Sequence, residues 1–183
     1  MINKLGWKIG GEQGEGLEST AEIFSTVINT LGYHMYSTRD FASRIKGGHS
    51  NSKICISEER INVIDYKTDI LIAFDQATLD SYIPELDENS IIIADAKIKP
   101  EISEEIKGLV AVFPITDLAK EIANPIIKNI ITLGICSALL DIDSKIFYDM
   151  IEAKFSSKGE EIVNTNIQAF DKGREIMNEF MAE

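Results

Sequence analysis

Cysteine and histidine are scarce in this sequence. Its 183 residues include two cysteines, Cys55 and Cys136, and two histidines, with no CxxC and no HExxH spacing. We therefore expect a reducing compartment, and neither a disulfide framework, an iron–sulfur cluster nor a metal site. Both cysteines lie in apolar stretches and are predicted to be buried and inert. A GxSxG nucleophile motif is also missing, so we predict no catalytic residue in this chain.

Long apolar runs and an excess of positive charge are missing too. No apolar stretch approaches the roughly 20 residues that cross a bilayer, and the first residues lead into a strand-like run instead of a signal peptide. The net charge of -12 disfavours binding to a phosphate backbone. We expect a cytoplasmic protein that binds neither membrane nor nucleic acid. Its 44% hydrophobic and 26% charged residues are typical of one globular domain, here residues 1–183.

Apolar runs alternate with helical periodicity along most of the chain. Strands are predicted for 5–9, 33–36, 69–74, 90–95 and 109–113. Helices are predicted for 17–31, 76–82, 116–122 and 126–140. This order predicts an α/β fold, with a Rossmann-like open, mostly parallel sheet and helices on both faces.

Two segments depart from this alternation. Residues 54–57 and 60–63 predict a hairpin inserted into the sheet. Residues 144–183 are charged and helical in pattern and predict a helical C-terminal tail. The apolar stripe of this tail consists of Phe170, Met177, Phe180 and Met181. The stripe indicates either packing within the chain or an interface with a partner.

A glycine-rich turn follows the first predicted strand. Its glycines, which are candidate cofactor-binding residues, are Gly10, Gly11, Gly14 and Gly16. Ligands of α/β sheets bind at this end of a strand, and glycine lets the backbone approach a phosphate. The spacing fits neither GxGxxG nor the P-loop, and Glu12, Glu15 and Glu18 are expected to repel a bare anion. The turn is interpreted either as a tight turn for strand–helix packing or as part of a ligand or partner surface.

A cationic segment, residues 39–53, interrupts the acidic chain. It has four basic residues and one acid, against the net charge of -12 for the whole protein. Its candidate binding residues are Arg44, Lys46, Gly47, Gly48, His49 and Asn51. The two cations supply positive charge, and the glycines uncover backbone amides for an anion or carbonyl. His49, Ser50 and Asn51 supply hydrogen-bonding groups. The alternative is a solvated loop with an incidental charge cluster.

Together these two motifs resemble those of a known family. Residues 7–17 (WKIGGEQGEGL) and 43–49 (SRIKGGH) resemble the gamma subunit or domain of 2-oxoacid:ferredoxin oxidoreductases of the 2-oxoglutarate and pyruvate type. Residues 72–75 and 129–140 fit the same family, so the resemblance covers nearly the whole chain. It is strongest to the N-terminal domain of the fused gamma–alpha subunit. It implies a Rossmann-like domain of an enzyme that oxidatively decarboxylates a 2-oxo acid to acyl-CoA and reduces ferredoxin.

The resemblance further implies that the chain is inactive alone and binds no cofactor by itself. The implied partners are thiamine-binding alpha and beta subunits or domains, with ferredoxin as an indirect partner. Thiamine diphosphate, iron–sulfur clusters and coenzyme A belong to the implied complex. The implied role is to close the active site and help to hold coenzyme A through the glycine-rich turn and the cationic segment. Two alternatives stay open: a stand-alone nucleotide-binding module, and a structural assembly subunit that uses its C-terminal stripe as an interface.

Overall fold

In the computed structural model, residues 3–41, 48–61 and 67–182 are described. Within these residues six strands form one sheet in the order β2-β3-β1-β4-β5-β6. The strands are β1 (Lys4–Glu12), β2 (His34–Phe41), β3 (His49–Ser57), β4 (Ile70–Ala73), β5 (Ile91–Asp95) and β6 (Leu109–Phe113). The helices are α1 (Leu17–Thr30), α2 (Gln76–Tyr82), α3 (Ile115–Ile122), α4 (Lys128–Leu139), α5 (Ser144–Phe155) and α6 (Glu160–Ala182), with short 3₁₀ turns between some of them.

The sheet is mixed, and parallel pairing predominates among the described strands. β1, β4, β5 and β6 pair in parallel, whereas β3 runs antiparallel to both β1 and β2. All four residues of β4 are buried, as expected for a strand covered on both faces. These pairings confirm the predicted α/β class with a mostly parallel sheet.

The inserted antiparallel pair exists, but the sequence assigned it to the wrong segments. β2 and β3 form the pair, from His34 opposite Ser57 to Phe41 opposite Ser50. Arg60 and Ile61 belong to no strand, and the rest of the predicted second segment, 62–63, lies outside the described residues. The physical reason is edge occupancy: β1 and β2 already pair with the two edges of β3, so no further strand can join it.

Helices cover both faces of the sheet, as predicted. On one face, the Trp7 ring of β1 stacks on Phe24 of α1 with ring centroids 4.7 Å apart. On the opposite face, Gly10 of β1 lies so close to α2 that an added Cβ would come within 2.5 Å of the Thr78 hydroxyl oxygen. Residues 7 and 10 point to opposite sides because side chains alternate along a strand.

The described chain forms two compact units, Met1–Phe113 and Pro114–Glu183. The first unit contains the sheet with α1 and α2, and the second contains α3 to α6. In the second unit α4 and α6 cross at two glycines: a Cβ on Gly134 would lie 2.0 Å from the Phe170 carbonyl oxygen, and one on Gly173 would lie 1.9 Å from that of Ile131. Only glycine permits so close a helix crossing.

The predicted tail is helical, since α5 and α6 occupy most of residues 144–182. Of its apolar stripe, Phe170 and Met177 are fully buried, whereas Met181 is 48% exposed. Phe180 is half-buried, so half of the stripe belongs to the core. Both cysteines are buried, as predicted. In the described part of the chain, none of the helices combines the length and the apolar character needed to cross a membrane.

Candidate functional site

Strand pairing brings the two sequence motifs together. β1 and β3 run antiparallel with Gly10 opposite Asn51 and Glu12 opposite His49. The Gln13 amide also donates a hydrogen bond of 3.0 Å to the Gly48 carbonyl oxygen. The glycine-rich turn therefore lies beside the end of the cationic segment. This position is the carboxyl end of β1, where open α/β sheets bind their ligands.

The candidate glycines divide into two groups. A Cβ on Gly10 or Gly11 would come within 2.5 Å of protein atoms, in the second case the Glu15 carboxylate, so both positions serve close packing. Gly14 and Gly16 have φ angles of 94° and 79°, which favour glycine, and they border an open cavity. Gly10 and Gly11 thus fit the interpretation of a tight turn for strand–helix packing, and the interpretation as part of a ligand or partner surface stays a prediction.

The structure describes some of the candidate residues of the cationic segment and not others. Arg44, Lys46 and Gly47 lie outside the described residues. Gly48 is buried beside the glycine-rich turn, and Asn51 is 4% exposed. His49 is partly buried. The structure thus places the end of the cationic segment at the site.

A cavity of about 340 Å³ opens in front of the first turn of α1. Gly14 and Gly16 border it on one side, and Ser50 and Ser52 border it on the other. Glu18 is also at its edge, but its carboxylate is paired with the Arg39 guanidinium. The Arg39 guanidinium therefore offsets the repulsion that the sequence predicts between Glu18 and an anion.

A network of polar side chains occupies the other face of the sheet. Asn51 donates a hydrogen bond of 2.6 Å to the Tyr82 hydroxyl oxygen and one of 3.2 Å to the Asp40 carboxylate. His49 lies 3.2 Å from both the Asp75 carboxylate and the Tyr82 hydroxyl. A carboxylate can only accept, so Nδ1–H of His49 donates to Asp75, and Nε2 faces the Tyr82 hydroxyl. The network fixes the orientation of His49 and Asn51.

Two buried lysines share one carboxylate below this network. Lys8 and Lys53 are only 3% and 6% exposed. Their ammonium groups bind opposite oxygens of Glu85, at 2.5 Å and 2.9 Å. Thr68 donates a third hydrogen bond, of 2.6 Å, to the same carboxylate. The Lys8 ammonium also lies 3.6 Å from the centroid of the Tyr82 ring, a cation–π contact that joins the lysine cluster to the network above.

Burial and neighbouring charge shift the pKa values of this cluster. Burial raises the pKa of Tyr82 to about 12, helped by the carboxylates of Asp40, Glu85 and Asp75, so this hydroxyl stays a donor at neutral pH. Burial also lowers the pKa of Lys8, against the opposing effect of Glu85. Burial by itself would raise the pKa of Glu85, but hydrogen bonds from Lys8, Thr68 and Lys53 hold it below its usual value.

Sequence reasoning missed most of these residues. Tyr82 and Glu85 lie in or beside α2, far along the chain from β1 and β3, and no motif marks them. Asp75 ends the stretch 72–75 that fits the family, but no role was predicted for it from the sequence. A signal did exist at Lys8, a cation within an otherwise apolar central strand. Lys53 was counted only as a member of the cationic segment. Because it is buried against Glu85, and Arg39 is paired with Glu18, these two cations are already neutralised within the protein.

The described residues do not fit a resident iron–sulfur cluster or metal ion. The two cysteines cannot supply the four thiolates that an iron–sulfur cluster takes, and both are buried. In the described ranges no three histidine, cysteine, aspartate or glutamate side chains could together hold a metal ion. Among what the described residues place around the cavity are glycine backbone and the side chains of serines, glutamine and asparagine.

Known proteins similar to this chain are components of one kind of enzyme. The chain is 28% identical to a 2-oxoacid:ferredoxin oxidoreductase subunit alpha from Sulfolobus, an alignment that covers 83% of this chain and 30% of that protein. It is 30% identical to the 2-oxoglutarate synthase subunit KorC of Methanocaldococcus jannaschii, with 78% and 76% of the two chains covered. The chain thus spans about a third of the first relative and most of the second.

A solved structure supports the same relationship. The 2-oxoglutarate:ferredoxin oxidoreductase of Magnetococcus marinus, with 2-oxoglutarate, coenzyme A and succinyl-CoA bound, matches with a TM-score of 0.90 and 25% identity. The match covers 98% of this chain and 32% of that one. The family model described as pyruvate ferredoxin/flavodoxin oxidoreductase matches residues 6–176. With nearly its whole length matched in sequence and in fold, the chain belongs to the pyruvate ferredoxin/flavodoxin oxidoreductase family.

Proposed function

We propose that this chain is the gamma component of a 2-oxoacid:ferredoxin oxidoreductase. The complex would oxidatively decarboxylate a 2-oxo acid to acyl-CoA in the cytoplasm and pass the electrons to ferredoxin. Membership of the family, with the match to a 2-oxoglutarate enzyme that has coenzyme A bound, carries this proposal. Residues 1–183 form one gamma-type domain within the complex. Its direct partners are thiamine-binding alpha and beta subunits or domains, and those parts supply thiamine diphosphate and the iron–sulfur clusters.

The chain's own task is to hold and orient an anionic substrate group. The glycine-rich turn and residues 48–51 lie side by side, tied by the hydrogen bond between Gln13 and Gly48. Arg44 and Lys46 precede this point directly in the chain. In our proposal these two cations and the amides of Gly47 and Gly48 face the anionic groups of coenzyme A. Preplaced cations and amides bind such charge strongly where water is partly excluded.

His49 and Asn51 support the proposed site from the side. Asp75 and Tyr82 orient the His49 ring, and Tyr82 and Asp40 bind the Asn51 amide group. Both side chains follow the cationic residues immediately and belong to the rigid strand β3. They therefore fix the part of the chain that directly follows Arg44 and Lys46 in sequence. The chain contributes binding and orientation, and the chemistry belongs to its partners.

Kinetics of the assembled complex test this proposal. Arg44→Ala and Lys46→Ala are each expected to raise KM for coenzyme A about tenfold, because each removes a charge-assisted contact. KM for the 2-oxo acid is expected to change by less than about twofold. Loss of a charge-assisted contact to that substrate would change its KM by more than this. Arg39→Ala is the matched control, since Arg39 belongs to the same segment but is already paired with Glu18. Unchanged KM for coenzyme A in both test variants would contradict the role of the two cations.

Purification tests the wider assignment. Isolated anaerobically from its natural cell, the protein is expected in a brown complex that contains thiamine diphosphate and consumes coenzyme A. A colourless single polypeptide that binds a dinucleotide would instead favour a stand-alone nucleotide-binding module. Binding of a dinucleotide would raise the free energy of unfolding by about 2.7 kcal/mol at a ligand concentration 100 times the dissociation constant, and so would raise the thermal stability.

A further inference from the structure

The strand β2 forms one edge of the sheet. Within the described residues it pairs with β3 alone, in a continuous register from His34 opposite Ser57 to Phe41 opposite Ser50. The strand is eight residues long. Alternate amides and carbonyl oxygens of an edge strand point away from the sheet, where a further strand can bind them. β2 therefore presents a row of backbone donors and acceptors along its outer side.

This edge has none of the features with which proteins usually protect an edge strand. Proline, lysine, a β-bulge or a very short strand prevents pairing with another chain. Residues 34–40 contain neither proline nor lysine, and the continuous register with β3 has no bulge. The opposite edge of the sheet differs, because β6 has only five residues and is followed directly by Pro114. Of the two edges, β2 is thus the one that is open to pairing.

Apolar side chains are exposed on both faces of β2. Met35 is 37% exposed and Tyr36 is 46% exposed. Neighbouring side chains of a strand point to opposite faces, so neither face of the sheet is fully covered at this edge. Leu31, at the C-terminal end of α1, is 39% exposed as well. Three of the nine exposed large hydrophobic residues in the described chain therefore lie within residues 31–36, a concentration that is typical of an interaction surface.

The charges of β2 favour contact between identical chains. With histidine neutral, its charged residues are Arg39 and Asp40, whose charges cancel, and Glu18 and Asn51 bind them within the chain. Complementary charge commonly guides different subunits to one another, and β2 presents no net charge for this purpose. Two copies of this protein, each with a net charge of -12, repel each other over most of their surface. They approach each other most easily where the local charge is zero, as it is along β2.

We infer that β2 is a self-association surface, at which two copies of this chain pair their β2 strands antiparallel across a two-fold axis perpendicular to the sheet. A strand edge is self-complementary in this arrangement, because the outward amides of one copy meet the carbonyl oxygens of the other. Each face of the sheet continues into the second copy, so Met35 gains cross-strand contacts on one face and Tyr36 on the other. The inference does not depend on the proposed function, since it needs neither coenzyme A nor the alpha and beta parts.

Sedimentation equilibrium of the full chain at increasing concentration tests the inference. The unmodified chain is expected to reach the mass of two chains. In Met35→Lys/Tyr36→Lys the dimer dissociation constant is expected to rise at least about tenfold, because both copies lose apolar contacts and like charges then face each other across the axis. The matched control is Leu109→Lys/Val112→Lys, which makes the same change of charge at two β6 residues with exposures of 52% and 46%. Its dissociation constant is expected to equal that of the unmodified chain.

Amide hydrogen exchange of the unmodified chain gives a second measurement that needs no variant. The amides of residues 34–38 are expected to exchange more slowly at concentrations where the dimer forms than after dilution, whereas those of β6 are expected to exchange at the same rate in both samples. A chain that stays monomeric, or equal weakening of the dimer in both lysine variants, would overturn the inference. So would a monomeric chain whose β2 amides become protected only in the assembled complex, since that result assigns the edge to a different subunit.

Discussion

Replacing Glu85 by glutamine tests the role of the buried lysine cluster. Glutamine keeps the shape of the side chain and removes its charge. The Glu85 carboxylate is the partner of Lys8 at 2.5 Å and of Lys53 at 2.9 Å. Without it, two ammonium groups remain close together in a buried site. We expect the variant to lose stability by much more than an ordinary surface substitution does.

The size of the loss follows from the exposures of the two lysines. Lys8 is 3% and Lys53 is 6% exposed, so water cannot replace the lost carboxylate. Removing one partner of a buried ion pair costs about 3–5 kcal/mol. Lys8→Met is the matched control, because it leaves one ammonium with one carboxylate. Since burial lowers the pKa of Lys8, its site disfavours the charge, and we expect this control to lose less than about 1 kcal/mol or to gain stability.

Urea unfolding at pH 7, followed by tryptophan fluorescence, measures both variants. Trp7 is the single tryptophan of the protein and is fully buried against Phe24, so its emission reports on the unit Met1–Phe113. The extrapolated free energy of unfolding in water is the quantity to compare. A loss below about 1 kcal/mol for Glu85→Gln would refute the reasoning. An equal loss in Lys8→Met would refute it as well.

Three further predictions concern other parts of the structure. Gly134→Ala should separate α4 from α6, because the added Cβ would lie 2.0 Å from the Phe170 carbonyl oxygen. We expect a lower melting midpoint by circular dichroism, or loss of the fold. An unchanged midpoint would contradict the close crossing. Tyr82→Phe should cost about 1–3 kcal/mol in the urea assay, because the buried Asn51 loses its partner at 2.6 Å; a neutral effect would show that Asn51 is satisfied otherwise. The pKa of Glu85 is lower in the folded than in the unfolded protein, so the stability that this carboxylate contributes is fully present above its usual pKa and is lost as pH falls through the folded pKa. The free energy of unfolding of Glu85→Gln should lack this acid dependence. Equal slopes of that free energy against pH in the two proteins would exclude the contribution of Glu85.

Local elements of the fold were predictable because each depends on a short stretch of sequence. The helix at 76–82 and the strand at 109–113 have the bounds that periodicity predicts. The hairpin was misassigned because strand pairing depends on which edges are free, and distant segments decide that. The polar network was not predictable for the same reason. Lys8 and Glu85 are 77 residues apart in sequence, and Lys53 and Glu85 are 32 apart.

Composition, periodicity and two short motifs determined the α/β class and the family of this protein without any coordinates. They also located the glycine-rich turn and the cationic segment. Only the tertiary structure decided that alternate residues of β3 serve two faces of the sheet, with Ser50 and Ser52 at the cavity and Asn51 and Lys53 in the polar network. Only the tertiary structure also showed that Arg39 is paired with Glu18 and Lys53 with Glu85, so that both cations are neutralised within the protein. The reason is that charge pairing and burial depend on contacts between distant segments, which a linear pattern does not encode.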